Sequence, residues 1–190
     1  MGYSPNGLAL ELASEPVRCP CIVRPIESME DRRDNPGVIA PPPLLAAAAI
    51  ILGLVLDWLL PAYLLTVLLS ITGRVLIGTA LIGAGLALIL SANLEFRSAG
   101  THIEPWKPSV ALVTDGIFVW LRNPMYVGGT LILAGLAILL ASDWMLVMTV
   151  VFVVVLHFGV VRREERYLEA KFGDAYRSYM NTVPRYGLPF

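Results

Sequence analysis

The chain alternates between long apolar runs and polar segments. Four runs, at residues 44–60, 75–92, 125–141 and 144–161, are long enough to cross a bilayer as helices. The stretch 62–72 is also apolar but short, which leaves room for a fifth, short helix. The pattern predicts an all-α integral membrane protein with about four transmembrane helices.

Polar segments flank these spans. Residues 1–43 mix acidic and basic side chains with repeated prolines, so we expect a mostly disordered N-terminal tail. The tail shows no apolar core of a secretory signal, so membrane insertion would rest on the first span. Beyond the last span, apolar residues recur at three- and four-residue steps through 162–180. This spacing predicts a C-terminal amphipathic helix that lies along the membrane interface.

The basic residues predict the orientation of the spans. Of the fourteen Lys and Arg, all but Arg74 lie in the tail, in the loop 93–123, or after Val161. Four spans place these three segments on one side of the membrane, and the positive-inside rule assigns that side to the cytoplasm. We therefore expect a protein of the bacterial inner (cytoplasmic) membrane with both termini cytoplasmic.

Composition narrows the function classes. Hydrophobic residues make up 56% of the chain and charged residues 15%, whereas soluble domains carry about 25% charge. A net charge of −1 provides no basic field, so nucleic acid is excluded as a partner. Cys19 and Cys21 have no histidine or further cysteine near them in sequence, so we expect no metal site.

The loop 93–123 turns back into the membrane at Asn123-Pro124. Proline suits the first turn of a helix and asparagine can cap its free N–H groups, so the third span should begin here. The positive end of that helix and the adjacent Arg122 would stabilise an anion. The alternative is that Asn123 is only a cap and Arg122 only an interfacial anchor.

A second polar cluster, Arg-Arg-Glu-Glu at residues 162–165, leaves the membrane on the same predicted side. His157 lies deeper, and a seven-residue step places it on the helical face of Glu164. An ionisable side chain at that depth requires a partner or a cavity. The alternatives are a solvated helix start, and a neutral His157 that is hydrogen-bonded to a neighbouring helix.

Four motif blocks follow one another in the second half of the chain. They are Leu112-Val113-Thr114-x-Gly116-x-Phe118, Arg122-Asn123-Pro124-x-Tyr126-x-Gly128, Arg162-x-Glu164-Glu165-x-x-Leu168, and Phe172-Gly173-x-x-Tyr176-x-x-Tyr179 followed by Val183-Pro184. Together they resemble the isoprenylcysteine carboxyl methyltransferase family, with its bacterial members and the related phospholipid methyltransferases. The resemblance covers about residues 98–190.

The resemblance implies a site for S-adenosylmethionine between the loop, the helix hairpin and the C-terminal helix. A lipophilic acceptor would enter from the bilayer, among the membrane lipids. Residues 98–190 would then be the cofactor-binding catalytic half, and 44–97 would supply the first two transmembrane helices. The implied cofactor-binding residues are Val110, Ala111, Leu112, Val113 and Phe118 on the adenosine side, and Arg122, Asn123, Pro124, Met125 and Tyr126 on the methionine side.

The same resemblance implies catalytic roles for Glu164 and for Arg162 or Arg163, which would face the reacting centre or the acceptor. His157 and Glu165 are further candidates for the acceptor side.

The chain departs from the family pattern at three positions. Phe118 replaces the usual tyrosine, Asn123 replaces a common histidine, and Val160 stands where the eukaryotic branch has an arginine.

Methyl transfer from a sulfonium requires alignment of donor and acceptor more than it requires a nucleophile or a metal. Glu164 could attract the cationic donor or take the proton of the acceptor. The methylated group stays open among carboxylate, amine and thiol. Two other functions also stay open: an NADPH-dependent membrane ene reductase of the sterol-reductase type, and a non-enzymatic membrane scaffold.

Overall fold

The computed structural model describes residues 37–101, 109 and 111–187. In this part of the chain, seven α-helices, one 3₁₀ turn and one π-helical segment occur, and no strand. In chain order they are α1 (Pro42–Leu59), α2 (Leu64–Leu68), α3 (Ile71–Ser98), the 3₁₀ turn (Gly116–Val119), α4 (Pro124–Leu140), α5 (Asp143–Leu156), the π segment (His157–Val161), α6 (Arg162–Phe172) and α7 (Asp174–Thr182).

The apolar helices confirm the predicted class. By length and composition, α1, α3 and the continuous helical run Asp143–Phe172 can each cross a membrane. Helix α4 is equally apolar but, with 17 residues, slightly shorter. The short helix α2 occupies the connection for which the sequence left room. The protein is therefore an all-α integral membrane protein.

The second span is longer than predicted. Helix α3 continues six residues beyond Ala92, to Ser98, and the polar loop begins later than residue 93. Polar residues such as Glu95 and Arg97 end an apolar run, but they are compatible with a helix. The helix ends only before Gly100, which has a φ of +64°.

The C-terminal region also differs from the predicted single helix over 162–180. Helix α6 continues from α5 without interruption, and the break falls at Gly173, where a φ of +56° ends α6 and α7 begins. The apolar face, with Phe172, Tyr176 and Tyr179, is buried against the end of α3 and the loop before α4. The amphipathic pattern is confirmed, but protein rather than lipid covers its apolar side.

Helices α3 and α4 pack through pairs of glycines. A Cβ atom built on Gly78 would lie 2.8 Å from the carbonyl oxygen of Gly135, and one on Gly85 would lie 2.5 Å from that of Gly128. On each helix the two glycines lie seven residues apart, so the two backbones stay in contact over about two turns. Such small-residue contacts drive helix association in lipid.

Helix α1 packs along α5 in a second helix pair. A Cβ on Gly53 would lie 2.6 Å from the Cα of Met145, so these backbones are also close. Helix α1 makes few contacts with α4. The bundle is therefore two close helix pairs, α3–α4 and α1–α5, joined where α4 packs on α5.

At one end of the bundle, hydrogen bonds tie the α4–α5 turn to the end of α1. The hydroxyl of Ser142 donates to Asp57, and the backbone N–H of Trp144 donates to the same carboxylate at 3.3 Å. The indole N–H of Trp144 donates to the carbonyl oxygen of Leu60 at 2.6 Å. We call this end of the bundle the capped end.

Asp143 completes the capped end. Its two carboxylate oxygens accept the backbone N–H groups of Leu64 and Leu65 at 2.8 and 2.9 Å. These groups begin α2 and have no partner within their own helix, so the carboxylate satisfies them and holds α2 against α5.

Candidate active site

A cavity of about 530 Å³ lies at the opposite end of the bundle, which we call the site end. Its size falls in the range of small-molecule sites. Most of its wall is apolar, and polar side chains gather in one region. The polar residues that line it are Thr101, Ser109, Arg122, Asn123, Tyr126, Glu164, Glu165, Tyr176 and Tyr179.

Every described residue that the sequence predicted for the donor side lines this cavity. They are Ala111, Leu112, Val113, Phe118, Arg122, Asn123, Pro124, Met125 and Tyr126. Val110 lies outside the described residues. The structure therefore brings the loop block and the helix-start block of the motif into one wall.

The loop before α4 is held in place by contacts with α3 and α7. The hydroxyl of Tyr179 donates to the carbonyl oxygen of Phe118 at 2.7 Å, and the Phe118 ring packs 5.0 Å from the ring of Phe96. Gly116 has a φ of +59° and lies against Glu95, where any Cβ would collide with the carboxylate. The motif glycine thus permits both the turn and the close approach.

Helix α4 begins as predicted, with Asn123 before its first turn and Pro124 inside it. The predicted cap is wrong, however, because the Asn123 side chain accepts no N–H group of the helix. Its amide Nδ2 instead donates to the backbone oxygen of Arg185 at 3.3 Å, and the N–H of Arg122 donates to that of Pro184 at 3.1 Å. The segment after α7 therefore binds the start of α4.

Glu165 lies between two arginines. Arg122 Nη1 donates to its Oε1 at 2.8 Å, while Arg185 donates to Oε1 through Nε at 2.8 Å and to Oε2 through Nη2 at 2.6 Å. The side chains of Glu165 and Arg122 are each only 9% exposed. Two guanidinium groups and one carboxylate leave a formal charge of +1, so this triad is suited to an anion.

Arg122 keeps unused hydrogen-bonding capacity. Its Nε atom is buried and has no partner among the described residues. A buried N–H without a partner costs roughly 1–3 kcal/mol, so such groups mark places where a ligand atom or a water can bind. Arg122 lines the cavity, and a ligand there could accept this bond.

Glu164 has a different environment from its neighbour. Its Oε2 accepts the hydroxyl of Tyr126 at 2.7 Å, and no arginine is hydrogen-bonded to it among the described residues. Both Glu164 and Tyr126 line the cavity. Among the described residues, Glu164 is therefore the cavity-lining carboxylate that no arginine binds.

Two tyrosines of α7 complete the polar region. Burial raises the pKa of the Tyr176 and Tyr179 hydroxyls above their ordinary value, so both remain protonated at neutral pH. The hydroxyl of Tyr176 also lies beside Arg122. The sequence motif contained both tyrosines, but they were not predicted as site residues.

The structure does not bring the two arginines at the start of α6 into the cavity. Arg162 is exposed and lies over the Phe158 ring, 5.7 Å from its centroid. Arg163 is exposed and donates to the carbonyl oxygen of Gly37 at 2.9 Å. Both guanidinium groups therefore lie on the exposed side of the helix start and outside the lining of the cavity.

His157 also lies apart from the cavity lining. Its Nδ1 is 2.8 Å from the hydroxyl of Tyr186, in the segment after α7. The predicted shared face with Glu164 assumed a regular α-helix, whereas residues His157–Val161 form a π segment that changes the helical phase. His157 therefore helps to bind the C-terminal segment, and not the acceptor side of this cavity.

The apolar part of the cavity reaches deep into the bundle. Gly129, Ile132 and Leu136 form one face of α4, and Ala46 and Ile50 of α1 lie opposite. A helix rises about 1.5 Å per residue, so Leu136 lies roughly 18 Å from the start of α4. We call this part the apolar arm. It was not predicted, because the facing of two spans cannot be read from their composition.

Residues of α1 and α3 line the same cavity as the motif residues. The sequence predicted only transmembrane helices for this part of the chain. The described residues bring together no three His, Cys, Asp or Glu side chains in a group that could hold a metal ion.

Comparisons with known proteins agree with this arrangement. The sequence profile of the phospholipid methyltransferase family matches residues 73–175. A protein-S-isoprenylcysteine O-methyltransferase of Schizosaccharomyces pombe is 33% identical over 134 residues, which are 68% of this chain and 54% of that protein. An uncharacterized protein of Haemophilus influenzae is 37% identical over 62 residues, which are 33% of this chain and 98% of that protein.

Among solved structures, a eukaryotic intramembrane Ras methyltransferase, an isoprenylcysteine carboxyl methyltransferase, is 22% identical, with a TM-score of 0.46. The match covers 78% of this chain and 52% of that one. The chain thus spans about half the length of the curated methyltransferase that it matches. The family profile covers more than half of this chain, including the loop, the start of α4 and α6. The chain therefore belongs to the isoprenylcysteine carboxyl methyltransferase and phospholipid methyltransferase family.

Proposed function

We propose that this protein is an S-adenosylmethionine-dependent methyltransferase that acts on a lipophilic, membrane-embedded acceptor. One observation carries the proposal: a cavity joins a polar region, with Arg122, Glu164 and Glu165, to an apolar arm that reaches into the bundle. Membership in the family supports the reaction class. The polar region and the apolar arm support the two reactants.

The residues present fit the proposed donor. Its methionine part carries a carboxylate, and the polar region offers a triad of net charge +1 and the unpartnered Nε of Arg122. The N-terminal end of α4 adds the positive end of a helix dipole. Leu112 and Phe118 provide an apolar wall for a flat base.

When bound, S-adenosylmethionine supplies a methyl group on a sulfonium sulfur. The chain's residues would align the acceptor with this group and exclude water from the cavity. Glu164 would accept the proton that the acceptor loses, and the hydroxyl of Tyr126 would hold the carboxylate in position.

The apolar arm fits an acceptor with a hydrocarbon chain along α1 and α4. Glu164 and Arg122 both line the same cavity, so a carboxylate of either charge state and a guanidinium lie near the group to be methylated. The acceptor group stays open among carboxylate, amine and thiol.

A labelling experiment tests the proposal. Purified protein in lipid nanodiscs receives a donor with a deuterated methyl group and a lipid extract, and mass spectrometry follows the label. We expect one lipid species to gain a labelled methyl group, and the Glu164→Gln variant to produce little of it. The mass of the product identifies the acceptor.

Ligand-dependent thermal stabilisation separates this proposal from the reductase alternative. At a ligand concentration near 100 times its Kd, stabilisation should reach about 2.7 kcal/mol. We expect this shift with S-adenosylmethionine and none with NADPH. Stabilisation by NADPH alone would support the ene reductase, and a folded protein that binds neither ligand would support the scaffold.

A further inference from the structure

The segment after α7, residues 183–187, reaches the site end without lining the cavity. Arg185 lies in this segment. Its side chain holds both oxygens of Glu165, and its backbone oxygen accepts the side-chain amide of Asn123. The preceding residue, Pro184, accepts the N–H of Arg122. This segment therefore contacts Arg122 in two ways. The carbonyl oxygen of Pro184 binds Arg122 directly, and Arg185 is linked to Arg122 through Glu165.

The two arginines share Glu165 unequally. Arg185 makes two hydrogen bonds to it, at 2.8 and 2.6 Å, in the fork geometry that arginine and carboxylate prefer. Arg122 makes a single bond of 2.8 Å, through Nη1. The Nε of Arg122 is buried and has no partner among the described residues. If Glu165 were not held by Arg185, Arg122 could take both of its oxygens.

We infer that Arg185 is a positioning residue: by holding both oxygens of Glu165, it leaves the guanidinium of Arg122 available to a ligand in the cavity. The inference rests on the proposed function, because it concerns the donor-binding side of that site. Arg185 touches neither the cavity nor the reacting atoms. It acts through Glu165, and Glu165 acts through Arg122.

A structural role would have a different outcome. The side chain of Arg185 holds the C-terminal segment through Glu165, so removing the Glu165 charge would suppress either role. If Arg185 only fastened the segment, its loss would lower Tm without changing how much Arg122 contributes to Tm. If Arg185 positions Arg122, its loss changes that contribution. The distinction is therefore non-additivity between Arg185 and Arg122.

The test measures binding of S-adenosylhomocysteine, which is not turned over, to the full chain in nanodiscs by calorimetry. We expect Arg185→Gln to weaken binding about tenfold, which corresponds to about 1.4 kcal/mol. The KM for the donor should rise similarly, while kcat at saturating donor stays within about twofold. Arg185→Lys keeps the charge but not the fork, so we expect an intermediate affinity.

In the Glu165→Gln background, Arg185→Gln should change the affinity less than about twofold. A tenfold loss in that background would overturn the inference. The matched control is Arg177→Gln, because Arg177 is exposed and pairs with Glu169 and Asp174 away from the cavity. Its affinity should equal that of the wild type.

A ligand-free measurement keeps the inference separate from the proposed function. Without Arg185, Arg122 should bind Glu165 more fully, so Arg122→Gln should lower Tm more in the Arg185→Gln background than in the wild type. Equal losses of Tm in both backgrounds would overturn the positioning role. Failure of the folded wild type to bind S-adenosylhomocysteine would reject the proposed donor, whatever the Tm result.

Discussion

The two ends of the helix bundle both carry two carboxylates close to the end of an apolar helix, but they use them differently. At the capped end, Asp57 and Asp143 accept hydroxyl and backbone N–H groups that begin helices. At the site end, Glu165 is bound by two arginines, and Glu164 is bound only by a tyrosine hydroxyl beside a cavity.

Under the proposed function, the number of hydrogen bonds that a carboxylate accepts from the fold, and not its charge, separates the structural carboxylates from Glu164. At the capped end, each carboxylate oxygen of Asp57 and Asp143 accepts a hydrogen bond from the protein itself. The site end retains two groups with unused hydrogen-bonding capacity, the Glu164 carboxylate and the Nε of Arg122, and both residues line one cavity. Such capacity is costly in a buried place and is offset when a ligand binds.

The largest expected difference between the two ends of the bundle is the side of the membrane that each faces, because a cysteine either reacts with an impermeant reagent or does not. We expect the site end to face the cytoplasm, because thirteen of the fourteen Lys and Arg belong to the three segments that the predicted topology places on that side. In a chain with Cys19 and Cys21 replaced by serine, Leu60→Cys at the exposed capped end should react with an impermeant thiol reagent on intact cells. Ser178→Cys in α7 should react only after the membrane is opened. The reverse pattern would contradict this orientation.

The next effect is on turnover. Glu164→Gln keeps the side-chain volume but removes the charge, so methyl transfer should fall about 10²–10⁴-fold if Glu164 accepts the proton. Donor affinity should change little, because the bonds to Arg122 are untouched. Initial rates and calorimetry measure the two quantities. Glu169→Gln is the control, since Glu169 is partly exposed and pairs with Arg177. Full turnover in the Glu164 variant would show that the carboxylate of Glu164 is not needed for the reaction.

Donor affinity should respond to Arg122. Arg122→Ala removes a charge-assisted contact to an anion at the start of α4, a loss of about 1.5–3 kcal/mol, or one to two decades in Kd. Turnover at saturating donor should fall less than in the Glu164 variant. Unchanged binding of S-adenosylhomocysteine to a folded Arg122 variant would show that the net positive charge of the triad serves only the fold.

The smallest effect belongs to the capped end and concerns stability alone. Asp57→Asn weakens the bonds from Ser142 and Trp144, and hydrogen bonds to charged groups contribute about 1.5–3 kcal/mol each at most. We expect a lower Tm and unchanged turnover per folded molecule. Asp174→Asn, at an exposed position of α7, should leave Tm unchanged. A loss of turnover without a loss of Tm in the Asp57 variant would contradict a purely structural role for the capped end.

The sequence predicted the elements that depend on local pattern. Apolar runs located the four long helices, and Asn123-Pro124 located the start of α4, because composition and proline geometry act over a few residues. Helix ends inside polar sequence were less predictable. Polar residues at 93–98 did not stop α3, whereas glycines with positive φ ended both α3 and α6.

The hydrogen-bonded pairs between residues far apart in the sequence could not be predicted from the pattern of polar and apolar positions. Arg185 binds Glu165 across 20 positions, and nothing in its neighbourhood apart from the motif Val183-Pro184 indicated a role in the site. The resemblance implied a catalytic role for Glu164 and an acceptor-side place for Glu165, but it did not indicate that Tyr126 binds Glu164 while two arginines bind Glu165. The π segment likewise turned His157 away from a face that regular helical spacing had assigned to it.

The ties at the capped end have a mechanical consequence. Hydrogen bonds from Ser142 and Trp144 to Asp57 fix the end of α1 to the α4–α5 turn, while α1 makes few contacts with α4. The apolar arm lies between these two helices. A hydrocarbon chain that enters the arm from the site end would therefore point toward a closed end, and the turn at Asp57 would limit the length of chain that the arm admits.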